Sequence, residues 1–438
     1  MLFAERMAAR WAMVVCLAAC MFSRPWQPRS LNSSAVTAKK TRANEQELVM
    51  SPQRTGDSML RVLFRAIRGP AISLRTSALW KPCSVVLAML AAWYAGRWQS
   101  NHDQSSETIS VAAAQFQAAE PNIRGWKRGQ GWGWIWGQED EVGALNAMTD
   151  QSRLAALRLV QQGKVYDLGV TYSRRSYRWP GHNPAEIILF RSPEGLLRQK
   201  DYPAVSDPKI NPHRLAWHSC ALFISDNVGT QIDGLAHITA GEDMHWYNGF
   251  REAEWGGNFG VRKCDAVSIP PIVARGVLID VARFRKLEAL PSHYRITVED
   301  LQGALQAQGT KLRPGDVVLI RTGVLRYWGE DGADQERIRQ HDSAGIDLPA
   351  ARWLVEQQGA MLIGSDTSGL EHTPGPNEPP SFLPVHHYLL IEQGVHIGEL
   401  HYLEELARDR VYEFCYICAV NKIRGTTAGF CLRPIALR

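Results

Sequence analysis

The sequence predicts an α/β domain, on three observations. A helix, glycine, strand unit recurs in the second half of the chain. At least one of the runs that close these units is a buried-strand type, rich in Val, Leu and Ile. A content of 45% hydrophobic residues over 438 positions is enough for a well-buried core.

In chain order, residues 150–162 read as a helix, with Asp150 able to cap it, apolar side chains at Leu154, Leu157 and Val160, and Gly163 just past its end. Residues 164–170 alternate enough to form a strand. A second helix spans 298–308, where Thr297 and Asp300 have the spacing of a capping box and Gly309 supplies the stop. Residues 316–321 follow as a buried strand. The unit returns as helix 349–358, Gly359 and strand 361–364. Residues 373–380 hold too many prolines for regular structure and read as either a substrate loop or a plain surface connection. Read as a strand, the stretch around His386 and His387 sends these neighbours to opposite faces. The same rule separates Cys415 from Cys418 in the apolar run 414–420, so both read as buried free thiols rather than half of a zinc site.

The net charge of +5 is unevenly placed. Residues 1–105 hold 14 Lys and Arg against 5 Asp and Glu, leaving 35 against 39 for the remainder. The folded part is therefore slightly acidic and offers no basic surface or motif for nucleic acid. The basic segment reads as a targeting leader, outside the catalytic fold. It has one apolar run at 11–22 behind Arg6 and Arg10, and a second at 84–96 behind Arg68, Arg75 and Lys81. Both are shorter than the roughly 20 residues a spanning helix needs. Three readings stand: an export signal, a two-part organelle leader, or a start upstream of a signal that opens at Met59. Export or membrane association through the leader is favoured. Residues 106–117 form a polar linker, and 118–438 a single catalytic domain.

The stretch 227–237 (NVGTQIDGLAH) places four metal-capable or proton-handling side chains in eleven residues. Extended backbone over 227–233 puts Asn227, Gln231 and Asp233 on one face, with Gly229 leaving room beside them for an ion or substrate. Gly234 lets the chain turn, so that His237 swings back toward the carboxylate. Oxygen ligands beside an imidazole of near-neutral pKa suit metal-assisted hydrolysis. The plain alternative is a half-exposed strand ending in an ordinary Asp-Gly turn.

This stretch resembles the signature of the metal-dependent cyclase family, which includes kynurenine formamidases (arylformamidases) and isatin hydrolases: His-x-Gly-Thr-His-x-Asp-x-Pro-x-His. Gly229, Thr230, Asp233 and His237 match, whereas Asn227 and Gln231 stand at the two ligand histidines and Leu235 at the proline. The likeness continues in order through 136–146 (WGQEDEVGALN), 275–281 (RGVLIDV), 312–323 (LRPGDVVLIRTG), 362–366 (LIGSD), 385–390 (VHHYLL) and 398–400 (GEL).

The resemblance implies a swivelling β/β/α cyclase-like fold, usually a homodimer or homotetramer, with Asp233, His386 and Glu399 at one divalent ion, Gln231 as a further ligand, and His237 as catalytic acid or base. It places Asn227, Thr230, Tyr247 and Trp136 in the substrate pocket or just behind the ligands. Manganese or zinc heads the expected ions, and amide oxygens also admit magnesium or calcium. The implied activity is hydrolysis of an amide, N-formyl amide, lactam or lactone, as in tryptophan catabolism. The alternatives are a lactone or ester hydrolase of the same fold and an inactive small-molecule binder. His213, His218, His245, His293, His372, His396 and His401 match no ligand pattern.

Overall fold

Nine short strands hydrogen-bond into one mixed sheet with a buried, largely apolar centre. The structure is a computed structural model that describes residues 123–177, 182, 185–329 and 332–438. The strands are β1 (Val165–Asp167), β2 (Gln231–Asp233), β3 (Ile272–Asp280), β4 (Val317–Arg321), β5 (Leu362–Ser365), β6 (His396–Glu399), β7 (Glu413–Cys418), β8 (Ala428–Gly429) and β9 (Ile435–Leu437). Their spatial order is β1-β9-β7-β3-β4-β5-β6-β2-β8. The four central strands β3 to β6 run parallel and the flanking pairs antiparallel. Every residue of β4, β5 and β6 is buried; in β4, burial on both faces reads as a nearly unbroken apolar run rather than an alternating one, whereas β6 carries a histidine and a glutamate into the interior.

One helix precedes the sheet and three more supply the crossovers between its parallel strands. The first, α1 (Asp150–Leu157), stops well short of residue 162 because Leu154 and Leu157 face solvent and no packing extends it. Its cap is Thr149, in a reciprocal box with Ser152, and Asp150 sits inside the first turn instead. The second, α2 (Val298–Gln308), has the expected bounds, with the Thr297–Asp300 box at one end and Gly309 at φ +66° at the other. The third, α3 (Leu348–Arg352), is capped by Asp347 and widens into a π turn at Trp353–Gln357. The fourth, α4 (Pro384–His386), also continues as a π turn, His387–Glu392. The stretch around His386 is thus helical, not a strand: proline at its first position starts the helix, and His387 turns to the surface beside Glu392.

Residues 227–233 are not continuously extended. A 3₁₀ turn occupies Asp226–Val228, and only Gln231–Asp233 is strand. The space beside Gly229 is filled by the Tyr172 ring, 2.6 Å from where a Cβ would stand, so it holds no ion. Gly234 is needed for close approach rather than for a left-handed turn: a Cβ there would meet the Thr427 carbonyl at 2.6 Å. Strand 164–170 shortens to β1, after which Gly169 N–H turns to the Asp167 carboxylate. Cys415 and Cys418 are buried free thiols, as expected.

The predicted leader, 1–105, and the linker, 106–117, lie outside the described residues. Among the described residues no helix is long and apolar enough to cross a membrane.

Thr230 pins β2 to its surroundings. Its buried hydroxyl accepts from Val170 N–H at 2.9 Å and donates to the Leu400 carbonyl at 2.7 Å, which commits its only proton to the backbone. Thr230→Val strands both groups, so urea unfolding is expected to show a loss of about 1–3 kcal/mol with KM unchanged.

Candidate metal centre and active site

The antiparallel pairing of β2 with β6 sets Gln231 directly opposite Glu399 and leaves Asp233 two residues along on the same face. All three side chains are buried. The Gln231 amide nitrogen donates to Asp233 Oδ1 at 3.0 Å and to Glu399 Oε2 at 2.6 Å. Its own oxygen has no partner, and neither has Asp233 Oδ2.

His386 arrives from the other side. Leu383 in the left-handed region and Pro384 turn the chain into α4, whose first turn carries the imidazole inward. Glu371 holds it there: one carboxylate oxygen accepts both the His386 backbone N–H (2.9 Å) and the ring Nδ1–H (2.5 Å). That contact leaves Nε2 aimed between Glu399 Oε1 at 3.6 Å and Asp233 Oδ2 at 3.9 Å. One donor atom each from Asp233, His386 and Glu399 lies within 4.8 Å of the others.

These residues fit a divalent cation. Two carboxylates and one imidazole, buried together with an unpartnered carboxylate oxygen, form a donor set short of positive charge. Burial pushes the Asp233 carboxyl up, partly offset by His237 and His386. Burial, and then the charge of Asp233, push Glu399 up to about 8. Burial pulls His386 down, but the hydrogen bonds and charges of Glu371 and Glu399 outweigh it and hold the imidazole at about 10. Protons thus stand in the cluster where an ion would balance the charge. Turning the Gln231 amide by half a rotation exchanges its nitrogen for its unpartnered oxygen, so this residue can serve the cluster in either state.

A cavity of about 380 Å³ opens against the cluster, lined by Asn227, His237, Asp342, Glu371, His386 and Glu399, and on its outer side by Phe382 and Leu383. His237 follows a turn closed by its N–H to the Gly234 carbonyl, and its Nδ1 lies 3.8 Å from Asp226 and 3.9 Å from Asp233. Asn227 reaches the cavity from the 3₁₀ turn rather than from a strand face. Thr373 and Pro374 of the proline-rich loop form part of the wall.

Several residues expected at the site stand elsewhere. Thr230 stands behind the ligands rather than in the cavity, its hydroxyl bonded to Val170 N–H and to the carbonyl of Leu400, the residue after Glu399. Tyr247 is fully buried away from the cavity, with its hydroxyl on Asp140 at 2.8 Å and its ring against Gly394. Trp136 stacks on Trp132 at 6.4 Å, closing the amino-terminal segment of the domain onto the core. His245, which matched no ligand pattern, pairs with Asp243 outside the cavity. Conversely, Glu371, Asp226 and Asp342 belong to the site without having been singled out, and His372, which matched no ligand pattern, lines the cavity. Glu371 stands fifteen residues before its histidine, and no local spacing reveals such a partnership.

A parallel-centred sheet with this donor cluster at its β2–β6 edge defines a swivelling β/β/α protein of the cyclase type. The profile described as putative cyclase matches residues 166–372. A crystal structure described as a novel cyclase is 30% identical, covering 71% of this chain and 100% of that one, with a TM-score of 0.59. The chain belongs to the cyclase family. Isatin hydrolase A from Ralstonia solanacearum is 21% identical over 63% of this chain and 92% of that one (TM-score 0.43). A predicted metal-dependent hydrolase from Bacillus stearothermophilus is 18% identical over 62% and 97% (TM-score 0.38). No curated protein matches the chain.

Because burial and the Asp233 charge push the Glu399 carboxyl up to about 8, and Glu371 and Glu399 hold the His386 imidazole at about 10, the ion-free cluster carries protons at neutral pH that an ion must expel. Affinity for a divalent ion is therefore expected to rise as pH increases from about 6 to 8, and calorimetry in two buffers to register proton release. Uptake without proton release would contradict a protonated cluster. Glu371→Gln is expected to weaken ion binding by about 10- to 100-fold in the same titration.

Proposed function

We propose that the protein is a metal-dependent hydrolase of a carbon–nitrogen or carbon–oxygen bond beside a carbonyl: an amide, N-formyl amide, lactam or lactone. One observation carries the reading. Three buried donors from distant parts of the chain, Asp233, His386 and Glu399, converge within 4.8 Å beside a cavity that also contains an imidazole, His237. Family membership supports it.

Asp233, His386 and Glu399 would hold the ion, and the Gln231 oxygen would serve as a further donor once the amide turns. A divalent cation there supplies Lewis acidity, polarising a carbonyl oxygen and making water a stronger acid. His237 takes a proton from the attacking water as its oxygen adds to the carbonyl carbon. It then returns that proton to the departing nitrogen or oxygen as the bond breaks, yielding a carboxylic acid with an amine or alcohol. Asp226 and Asp233 lie beside Nδ1 at 3.8 and 3.9 Å, on the side of the ring away from the transferred proton. The Asn227 amide, on the cavity wall, offers a donor to the anionic oxygen that develops. Glu371 keeps the His386 ring in the tautomer that leaves Nε2 free. A cavity of about 380 Å³ accommodates a one- or two-ring substrate.

The test is metal content of protein purified without chelator, followed by turnover of N-formylkynurenine, isatin and simple lactones. Asp233→Ala is expected to lose the ion, whereas His237→Ala keeps it and loses about 10²- to 10⁴-fold in kcat. Full rate and full ion content in both variants would overturn the assignment of roles. A metal-free protein inert on every substrate would point to binding alone.

A further inference from the structure

One polar pair on the cavity wall takes no part in holding the ion or moving a proton. Asp342 follows the helix Gln335–Arg339, and Ser368 stands on the turn beyond β5; both are buried and both line the cavity. Asp342 Oδ1 accepts the Ser368 N–H at 2.8 Å, and its Oδ2 accepts the Ser368 hydroxyl. The buried Tyr177 hydroxyl is a third donor to the same carboxylate. The turn is itself fixed, because the Thr367 hydroxyl pairs with that of Ser365 and accepts from Leu370 N–H at 3.1 Å. Next to Ser368, no atom lies within 4 Å of where a Cβ on Gly369 would stand, so the backbone beside the hydroxyl faces open space.

We propose that Ser368, its proton held by Asp342, accepts the N–H of a substrate amide or lactam, and that the site thereby selects N–H-bearing carbonyl compounds over lactones and esters. The inference deepens the hydrolase reading of this site and rests on it. A hydroxyl has one proton to give and lone pairs to receive another. With that proton committed to a carboxylate that other donors also face, the Ser368 hydroxyl can only accept. The other carboxylates of the cavity are engaged elsewhere: Glu371 with His386 and the Val385 N–H, and Glu399 in the cluster. Among the described residues the lining includes no Lys or Arg, so an N–H donor, not an anion, complements this wall. An amide or lactam N–H satisfies the acceptor. The oxygen that replaces it in a lactone sets lone pair against lone pair and leaves the buried hydroxyl unmatched.

Calorimetric binding of oxindole and of its oxygen isostere, the benzofuranone lactone, tests the proposal, since the two differ only in N–H against O. The full chain is supplied with manganese and carries His237→Ala, which suppresses turnover. The lactam is expected to bind about tenfold tighter than the lactone or better. A lactam carbonyl is also the better partner for a cation, so the decisive reading is how the ratio changes. Adding Ser368→Ala is expected to shrink the ratio by about tenfold, whereas Ser368→Thr, which keeps the hydroxyl, preserves it. Asp342→Asn turns an amide N–H toward Ser368, frees the hydroxyl proton for the cavity and is expected to reverse the preference. A general loss of packing weakens both ligands alike and leaves the ratio where it was. A ratio unmoved by Ser368→Ala, one equally reduced in Ser368→Thr, or a lactam preference that survives Asp342→Asn intact overturns the proposal, as does failure of the cavity to bind either ligand. The expected pattern in a protein whose wild type turns over no amide, lactam or lactone leaves the acceptor standing and overturns the hydrolase reading instead.

Discussion

Two carboxylates buried side by side are the constraint on which the rest of this structure depends. Asp233 and Glu399 sit on adjacent strands whose register leaves no freedom to separate them. Unpaired charges in such a place are costly, and their mutual repulsion adds to the cost. Everything near them answers that problem. The Gln231 amide bridges the two carboxylates with one nitrogen, His386 directs Nε2 between them, and Glu371 stops the imidazole from turning away. What remains is a demand for positive charge, met by protons or by a cation.

The fold makes the arrangement rigid. Gly364 and Gly398 face each other across β5 and β6, and a Cβ on Gly398 would strike the His401 ring at 2.8 Å. The absence of side chains at this pair lets His401 pack over the strand immediately beside Glu399, with its Nε2 on the Tyr416 hydroxyl at 2.9 Å. Further along the parallel strands, buried Asp366 accepts from Thr322 N–H, Thr322 hydroxyl and Gly323 N–H, tying the end of β5 to the end of β4. Such contacts consume the backbone donors that would otherwise be stranded where the strands stop. The site is thereby mounted on strand ends and one helix start rather than on mobile loops.

The arrangement also explains how amides can stand where the family pattern carries histidine. An imidazole at position 231 would present one nitrogen to the carboxylates; an amide presents either a donor or an acceptor by rotating about one bond. Gln231 therefore stabilises the carboxylates without an ion and offers oxygen to one when it is present. Asn227 has moved off the strand altogether, onto a 3₁₀ turn that aims it at the cavity. The two substitutions are thus not equivalent, although they look alike in the motif.

Local patterns in the sequence determined a good deal. The helix Val298–Gln308 was legible to the residue because its capping box and its terminal glycine are contacts within a few positions. The strand β4 was legible because burial on both faces writes itself as an unbroken apolar run. The polar residues of 227–237 identified one wall of the site. Beyond that range the tertiary structure decided. Whether Leu154 and Leu157 find a core sets the length of α1, and Pro384 followed by a π turn makes a helix of what reads as a strand. Glu371 meets His386, and Tyr172 fills the gap at Gly229, only because the chain folds back on itself. Side chains brought together across the sheet leave no periodicity behind, so their partnership is written in the packing and nowhere in the spacing of the residues.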